Sequence, residues 1–226
     1  MPAILCVCPH PDDESFGPAG TIAKYAAQGI PVDLLTFTKG QVGTRPEPLD
    51  SPEQLGLLRE YETRAAARVL GIRTVTFLDY MDGQLDQASP DELASHVVEA
   101  IDRSAADAIL SFGPYGLTRH GDHVATHRAT LAGVERSARP VRLFYIAVEG
   151  AWAKQMNLDG VESQPTHRID MSDFFETKLA ALACHSSQQD AREFFLMLSG
   201  GRQREELFHQ ALPSYEGEGP AHDLFS

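Results

Sequence analysis

The sequence predicts an α/β domain whose Rossmann-like, mostly parallel sheet carries helices on both faces, with an irregular C-terminal part completing the site. Three observations predict it. Short unbroken apolar runs, such as ILCVC at residues 4–8, suit strands buried on both faces. Helix-length segments alternate with these runs through the first two thirds of the chain, as βαβ units with right-handed crossovers require. Glycine or proline marks many of the junctions, among them Gly29, Pro52, Gly71 and Pro90.

The first strand, residues 4–8, runs directly into a polar loop. A helix over 17–28 follows, stopped by Gly29. Residues 31–38 (PVDLLTFT) form the second strand, and the Gly- and Pro-rich stretch 39–52 has no periodicity and is loop. A long helix over 52–70 ends at Gly71, and a third strand occupies 73–78. Ser89 and Pro90 are suited to cap and open a helix over 90–103. A fourth strand at 108–112, a loop at 113–119, a helix at 121–138 and a fifth strand at 141–148 complete the regular part. Beyond it, 167–170 reads as a short strand and 172–183 and 191–198 as helices. The polar, Gly-rich tail 213–226 is expected to be partly flexible. No repeat or linker divides the chain, so residues 1–226 are expected to form one domain.

The net charge of −13 argues against a nucleic-acid partner, which needs a basic surface. No apolar run approaches the roughly 20 residues that cross a bilayer, and no basic leader precedes the first strand. Three cysteines (Cys6, Cys8, Cys184) fit no disulfide framework and suit a reducing, cytoplasmic setting. Cys6 and Cys8 read as buried strand thiols.

Open parallel sheets bind ligands beyond the carboxyl ends of their strands, which directs attention to the loops at 10–14, 39–44, 79–83 and 113–123. The first holds His10-Pro11-Asp12-Asp13-Glu14. One imidazole and three carboxylates in five residues repel unless a cation offsets them, and zinc accepts both donor types. Helix-start carboxylates would explain the same residues without a metal. The last loop holds His120-Gly121-Asp122-His123, with His127 one turn on, and these imidazoles are expected along one helical stripe. One histidine and one aspartate from the first group, with one histidine from the second, would make a three-ligand open site. The remaining histidine and aspartate would then serve as acid and base. No Gly-x-Gly-x-x-Gly follows the first strand, so a dinucleotide site lacks its fingerprint. Trp152 and the segment after the fifth strand are further candidates for lining a pocket.

Taken in order, these motifs resemble the LmbE / PIG-L family of metal-dependent de-N-acetylases. The likeness extends through Thr38-Lys39-Gly40, Gly43-Thr44, Arg59-Glu60-Tyr61-Glu62, Asp82-Gly83 and Ala181-Leu182-x-x-His185-x-x-Gln188. The resemblance implies one zinc ion per chain, or another divalent metal, held by His10, Asp13 and His123. It implies Asp12 as general base, His120 as oxyanion stabiliser or proton donor, and Asp122 as the residue orienting His120. Arg59, His185 and Gln188 would contact substrate. The implied substrate is a small N-acetylglucosaminyl conjugate, and the family often assembles into homo-oligomers. Arg119 and Gly121 depart from the Gly-His-Pro-Asp-His that the family often shows, and Arg119 could read an anionic group on the substrate. The competing readings are a zinc amidase acting on a thiol conjugate or other non-sugar amide, and a non-enzymatic Rossmann-like binding protein.

Overall fold

The computed structural model describes residues 1–201 and 203–226. Seven strands form one sheet in the order β3-β2-β1-β4-β5-β7-β6. They are β1 (Ile4–Cys8), β2 (Val32–Thr38), β3 (Thr74–Tyr80), β4 (Ala108–Ser111), β5 (Arg142–Ala147), β6 (His167–Asp170) and β7 (Glu205–Leu212). The first five are mutually parallel, while β7 runs antiparallel to both β5 and β6. Among the described residues the α-helices are α1 (Asp13–Phe16), α2 (Ala19–Ala27), α3 (Pro52–Leu70), α4 (Pro90–Ser104), α5 (Gly121–Arg136), α6 (Gly150–Gln155), α7 (Phe175–Cys184) and α8 (Gln189–Ser199).

Strand β1 shows why the sheet is covered twice. Ile4, Cys6 and Cys8 pack on one face against a cluster that includes Ile22 of α2 and Leu70 of α3. Leu5 and Val7 pack on the other, with Val97 of α4 and Ala129 of α5. Cys6 and Cys8 are fully buried free thiols, as expected of strand residues. Caps set the helix ends. The Ser51 side chain accepts the Gln54 N–H, Pro52 opens α3, and Gly71 closes it at φ 76°. Strands are added on one side of β1 up to β3 and on its other side from β4 onward, so the loops after the parallel neighbours β1 and β4 flank one crevice.

The alternating α/β reading holds, with local differences. The helix expected over 17–28 is α2, and the polar loop expected before it contains the unanticipated one-turn helix α1; the helix expected over 172–183 opens as a 3-10 turn, Ser172–Phe174, before α7. Strand β7 was not anticipated, because its buried face carries Glu206, Phe208 and Gln210, which conceals the apolar alternation. Glu206 is satisfied there by Lys178 Nζ at 2.6 Å and by the Gly20 and Thr21 N–H groups at the start of α2. The tail after Pro213 docks: Leu224 is buried and its N–H meets the Tyr25 hydroxyl. Among the described residues no helix is long and apolar enough to cross a membrane.

Candidate metal centre

The centre starts where β1 ends. The Pro9 carbonyl accepts both the N–H and the hydroxyl of Thr38, which ties the turn to the end of β2. Pro11 stiffens the next step, and Asp12 then sits at φ 91°, a left-handed conformation that costs a non-glycine residue about 1–3 kcal/mol. Its surroundings impose it. The Asp12 carbonyl accepts the N–H groups of Ser15 and Phe16, and its own N–H donates to Glu14 Oε2 at 3.1 Å. The turn aims Asp12 and Asp13 into the same crevice as His10.

His10 is gripped from the far side. Its Nε2 lies 3.0 Å from both Asp82 Oδ1 and Asp122 Oδ2. Asp122 also accepts the N–H groups of Gly83 and Leu85, so it cannot turn away. With Nε2 assigned as donor by these partners, Nδ1 is left 3.7 Å from Asp13 Oδ2. His123 is arranged in the mirror sense. Its Nδ1 lies 3.0 Å from the Gly116 carbonyl, and its Nε2 is 3.7 Å from Asp13 Oδ1. Two ring nitrogens therefore face the two oxygens of one carboxylate, at distances too long for direct hydrogen bonds. This donor set, two imidazoles and a carboxylate with orienting groups behind them, fits a catalytic zinc.

His120 joins the cluster from the start of α5. Its ring centroid is 4.9 Å from that of His10, and His10, His120 and His123 offer nitrogen atoms within 4.8 Å of one another. His120 Nδ1 accepts the Asp122 N–H, capping the helix and leaving the Nε2 edge free. Among the described residues His10 with Asp82 and Asp122 is a second compact group, and its 3.0 Å contacts are those of a hydrogen-bonded clamp.

Charge in the cluster is strongly biased. Burial works against protonating His10, yet Asp122, Asp82 and Asp13 raise it to about 10, so the pocket attracts positive charge. Burial lowers His123 to about 3, helped by the neighbouring His10 and His120. Burial raises Asp13 to about 6 and Asp12 to about 7, the latter against the pull of the Arg59 guanidinium.

Several expected residues take other places. Arg59 is buried and donates to Asp12 Oδ2 at 2.8 Å, to the Pro11 carbonyl and to the Gly40 carbonyl, so it holds Asp12 while bordering the cleft. Gly40, at φ 65°, is required here because a Cβ would overlap that guanidinium. His185, expected at the substrate, is fully enclosed, with Nε2 2.8 Å from Glu14 Oε1. Gln188 lines the cleft, where its side chain bridges the N–H and C=O of Thr44. Arg119 stands outside, stacked 4.4 Å over Tyr115 and donating to the Asn157 carbonyl. The Asp122 carboxylate orients His10, and only its backbone N–H reaches His120. His127 leaves the stripe, buried with Nδ1 on the Phe112 carbonyl.

Two contributors were missed. Asp82 was signalled by its loop after β3 but given no role. Glu162 had no signal at all. Its buried carboxylate accepts the N–H groups of Tyr115 and Leu117, bracing the loop whose Gly116 carbonyl meets His123.

The centre lies at one end of a cleft of about 1270 Å³ that continues past β5 between α6 and α8. A Rossmann-like sheet with an imidazole–carboxylate centre at its switch point defines the class, an α/β enzyme with a metal-type site. The PIG-L family, described as GlcNAc-PI de-N-acetylase, matches residues 5–134, and this chain belongs to it. The probable N-acetyl-alpha-D-glucosaminyl L-malate deacetylase 2 of Bacillus anthracis is 32% identical over 190 residues, 82% of this chain and 80% of that protein. The 1D-myo-inositol 2-acetamido-2-deoxy-alpha-D-glucopyranoside deacetylase of Actinosynnema mirum is 31% identical over 272 residues, 99% of this chain and 96% of that protein. Among solved structures, the N,N'-diacetylchitobiose deacetylase of Pyrococcus horikoshii superposes with a TM-score of 0.76 at 24% identity. It covers 92% of this chain and 83% of its own, and shares the fold.

Proposed function

We propose that this protein is a zinc-dependent hydrolase that removes the N-acetyl group from a small N-acetylglucosaminyl conjugate. The observation that carries the reading is the convergence of His10 Nδ1 and His123 Nε2 on the two oxygens of Asp13, with Asp12 beside them. The names of the similar proteins, each a deacetylase of an amino-sugar conjugate, support the substrate class.

His10, Asp13 and His123 would hold one zinc ion per chain. Bound there, zinc supplies Lewis acidity and lowers the pKa of a coordinated water towards about 7. Asp12 accepts the proton of the attacking water and returns it to the departing amine. Burial brings its carboxyl to about 7, and Arg59 fixes the direction in which it points. His120, whose Nδ1 is engaged by the Asp122 N–H, presents its Nε2–H to the oxyanion that forms at the carbonyl. Asp82 and Asp122 keep His10 in the tautomer that turns Nδ1 inward. The three free thiols support a reducing, cytoplasmic setting.

The test is metal analysis followed by acetate release from N-acetylglucosamine linked to malate, to inositol and to itself. About one zinc per chain and turnover on these conjugates are expected. Turnover confined to thiol conjugates or other non-sugar amides would replace the reading with that of a zinc amidase. Full metal loading with no amide cleaved would overturn it.

A further inference from the structure

The cleft is larger than its reaction requires. Small-molecule pockets commonly measure roughly 300–1,000 Å³, and the 1270 Å³ here leaves ample room beyond a single sugar at the metal centre. That room has a definite chemistry. Phe16, three residues after Asp13, lies 4.9 Å from Phe194 of α8 between ring centroids, and Phe194 meets Trp152 of α6 edge-on at 6.4 Å. Met156 extends the same wall. Trp152 remains 38% exposed, an unusual position for so large an apolar surface inside a cleft.

The charges point the same way. Four basic side chains border the cleft among the described residues, and three of them are ion-paired. Arg59 is on Asp12, Arg168 is on Glu149 and Glu205, and Lys178 is on Glu206 and two carbonyls. The fourth, Arg204, keeps its charge and lies 3.7 Å over the Phe175 ring of α7. Asp190 and Glu193 add negative charge along α8, on the side that carries Phe194. Beside Phe194 a carboxylate-bearing aglycone would face Asp190 and Glu193, whereas an aromatic one would meet stacking surfaces.

We infer that the outer cleft is an aglycone subsite for an uncharged aromatic group, with Trp152 and Phe194 as its specificity-determining residues. This rests on the proposed deacetylase reading, and the row of rings leading from Phe16 to Trp152 gives the group its path away from the sugar.

The test compares zinc-loaded enzyme on phenyl, methyl, malyl and inositol N-acetyl-α-D-glucosaminides. The phenyl compound is expected to exceed the methyl and malyl compounds in kcat/KM by about tenfold. Trp152→Ala should bring the phenyl-to-methyl ratio towards one, and Trp152→Phe should keep most of it. Malyl or inositol compounds that match the phenyl compound, or an unchanged ratio in Trp152→Ala, would overturn the inference and leave the deacetylase reading intact. Trp152 is the chain's single tryptophan, so its fluorescence reports the subsite without turnover. If no N-acetylglucosaminide is cleaved, titration with phenyl α-D-glucosaminide decides separately. Saturable change in emission, at lower concentration than with the methyl compound, supports the subsite, and no such change overturns it.

Discussion

Glu14 Oε2 accepts the backbone N–H of Asp12 at 3.1 Å, holding in place the one residue of the His10–Glu14 turn that has a left-handed backbone. Its other oxygen meets buried His185 at 2.8 Å. Burial opposes ionisation of both groups, but each holds the other charged: His185 is raised, and Glu14 is lowered. A buried ion pair thus stands directly behind the reactive turn. Removing one partner leaves the other charge uncompensated, so Glu14→Ala should lose about 3–5 kcal/mol of stability, read from urea unfolding of metal-free protein. A loss below about 1 kcal/mol would show that water or a rearrangement replaces the carboxylate.

Asp12 and Asp13 are neighbours with different proposed tasks, and substitution should separate Asp12 from the proposed ligand His123. Asp12→Ala is expected to keep its zinc and lose turnover by about 10²–10⁴-fold. His123→Ala is expected to lose the metal itself. Normal turnover in metal-loaded Asp12→Ala would refute the base assignment, and stoichiometric zinc in His123→Ala would refute the ligand assignment.

The clamp on His10 makes a further prediction. Asp122→Asn retains the shape of the side chain but removes the charge that fixes the His10 tautomer. Zinc affinity, measured by competition with a chelator, should fall by about 10–100-fold. The same substitution at Asp82 should act in the same direction, since its carboxylate shares Nε2 at 3.0 Å. Unchanged affinity in both would mean that the backbone alone orients the ring.

His167 should make stability depend on pH away from the metal. Its ring is fully buried between Phe144 and Tyr215, with Nε2 lacking a partner among the described residues. Burial, aided by the Arg142 charge, lowers it to about 4. The unfolded chain takes up this proton near pH ~6.5, whereas the folded chain resists until about 4. This contribution is therefore complete above pH ~6.5 and declines as pH falls towards about 4. Urea unfolding of the metal-free protein at pH 7 and pH 4.5 should show a smaller pH difference in His167→Asn than in the unaltered chain. An equal difference would exclude His167 as a source.

The parallel half of the sheet was legible because β1, β2 and β4 are buried on both faces and consist largely of apolar residues. The loops of the centre were legible because parallel sheets place their chemistry after such strands. What stayed hidden depended on contacts between distant segments. His185 reads from sequence like a cleft residue, and only the packing of α7 behind α1 shows that Glu14 consumes it. Asp122 was assigned to nearby His120, whereas its carboxylate reaches His10, 112 residues away. Strand β7 was concealed by Glu206 and Gln210, polar residues on its buried face.

The family match ends at residue 134, before β5 and before α6 and α8, the helices that flank the outer cleft. All the proposed metal ligands and the proposed base precede that boundary, while Trp152 and Phe194 follow it. The proposed reactivity and the proposed selectivity thus fall on successive stretches of one chain. An engineer seeking a new conjugate could recast the walls of the later stretch and inherit the cleavage chemistry, provided that Glu162 and His185, which support the centre, and Lys178 and Glu206, which pin β7 to the start of α2, are left in place.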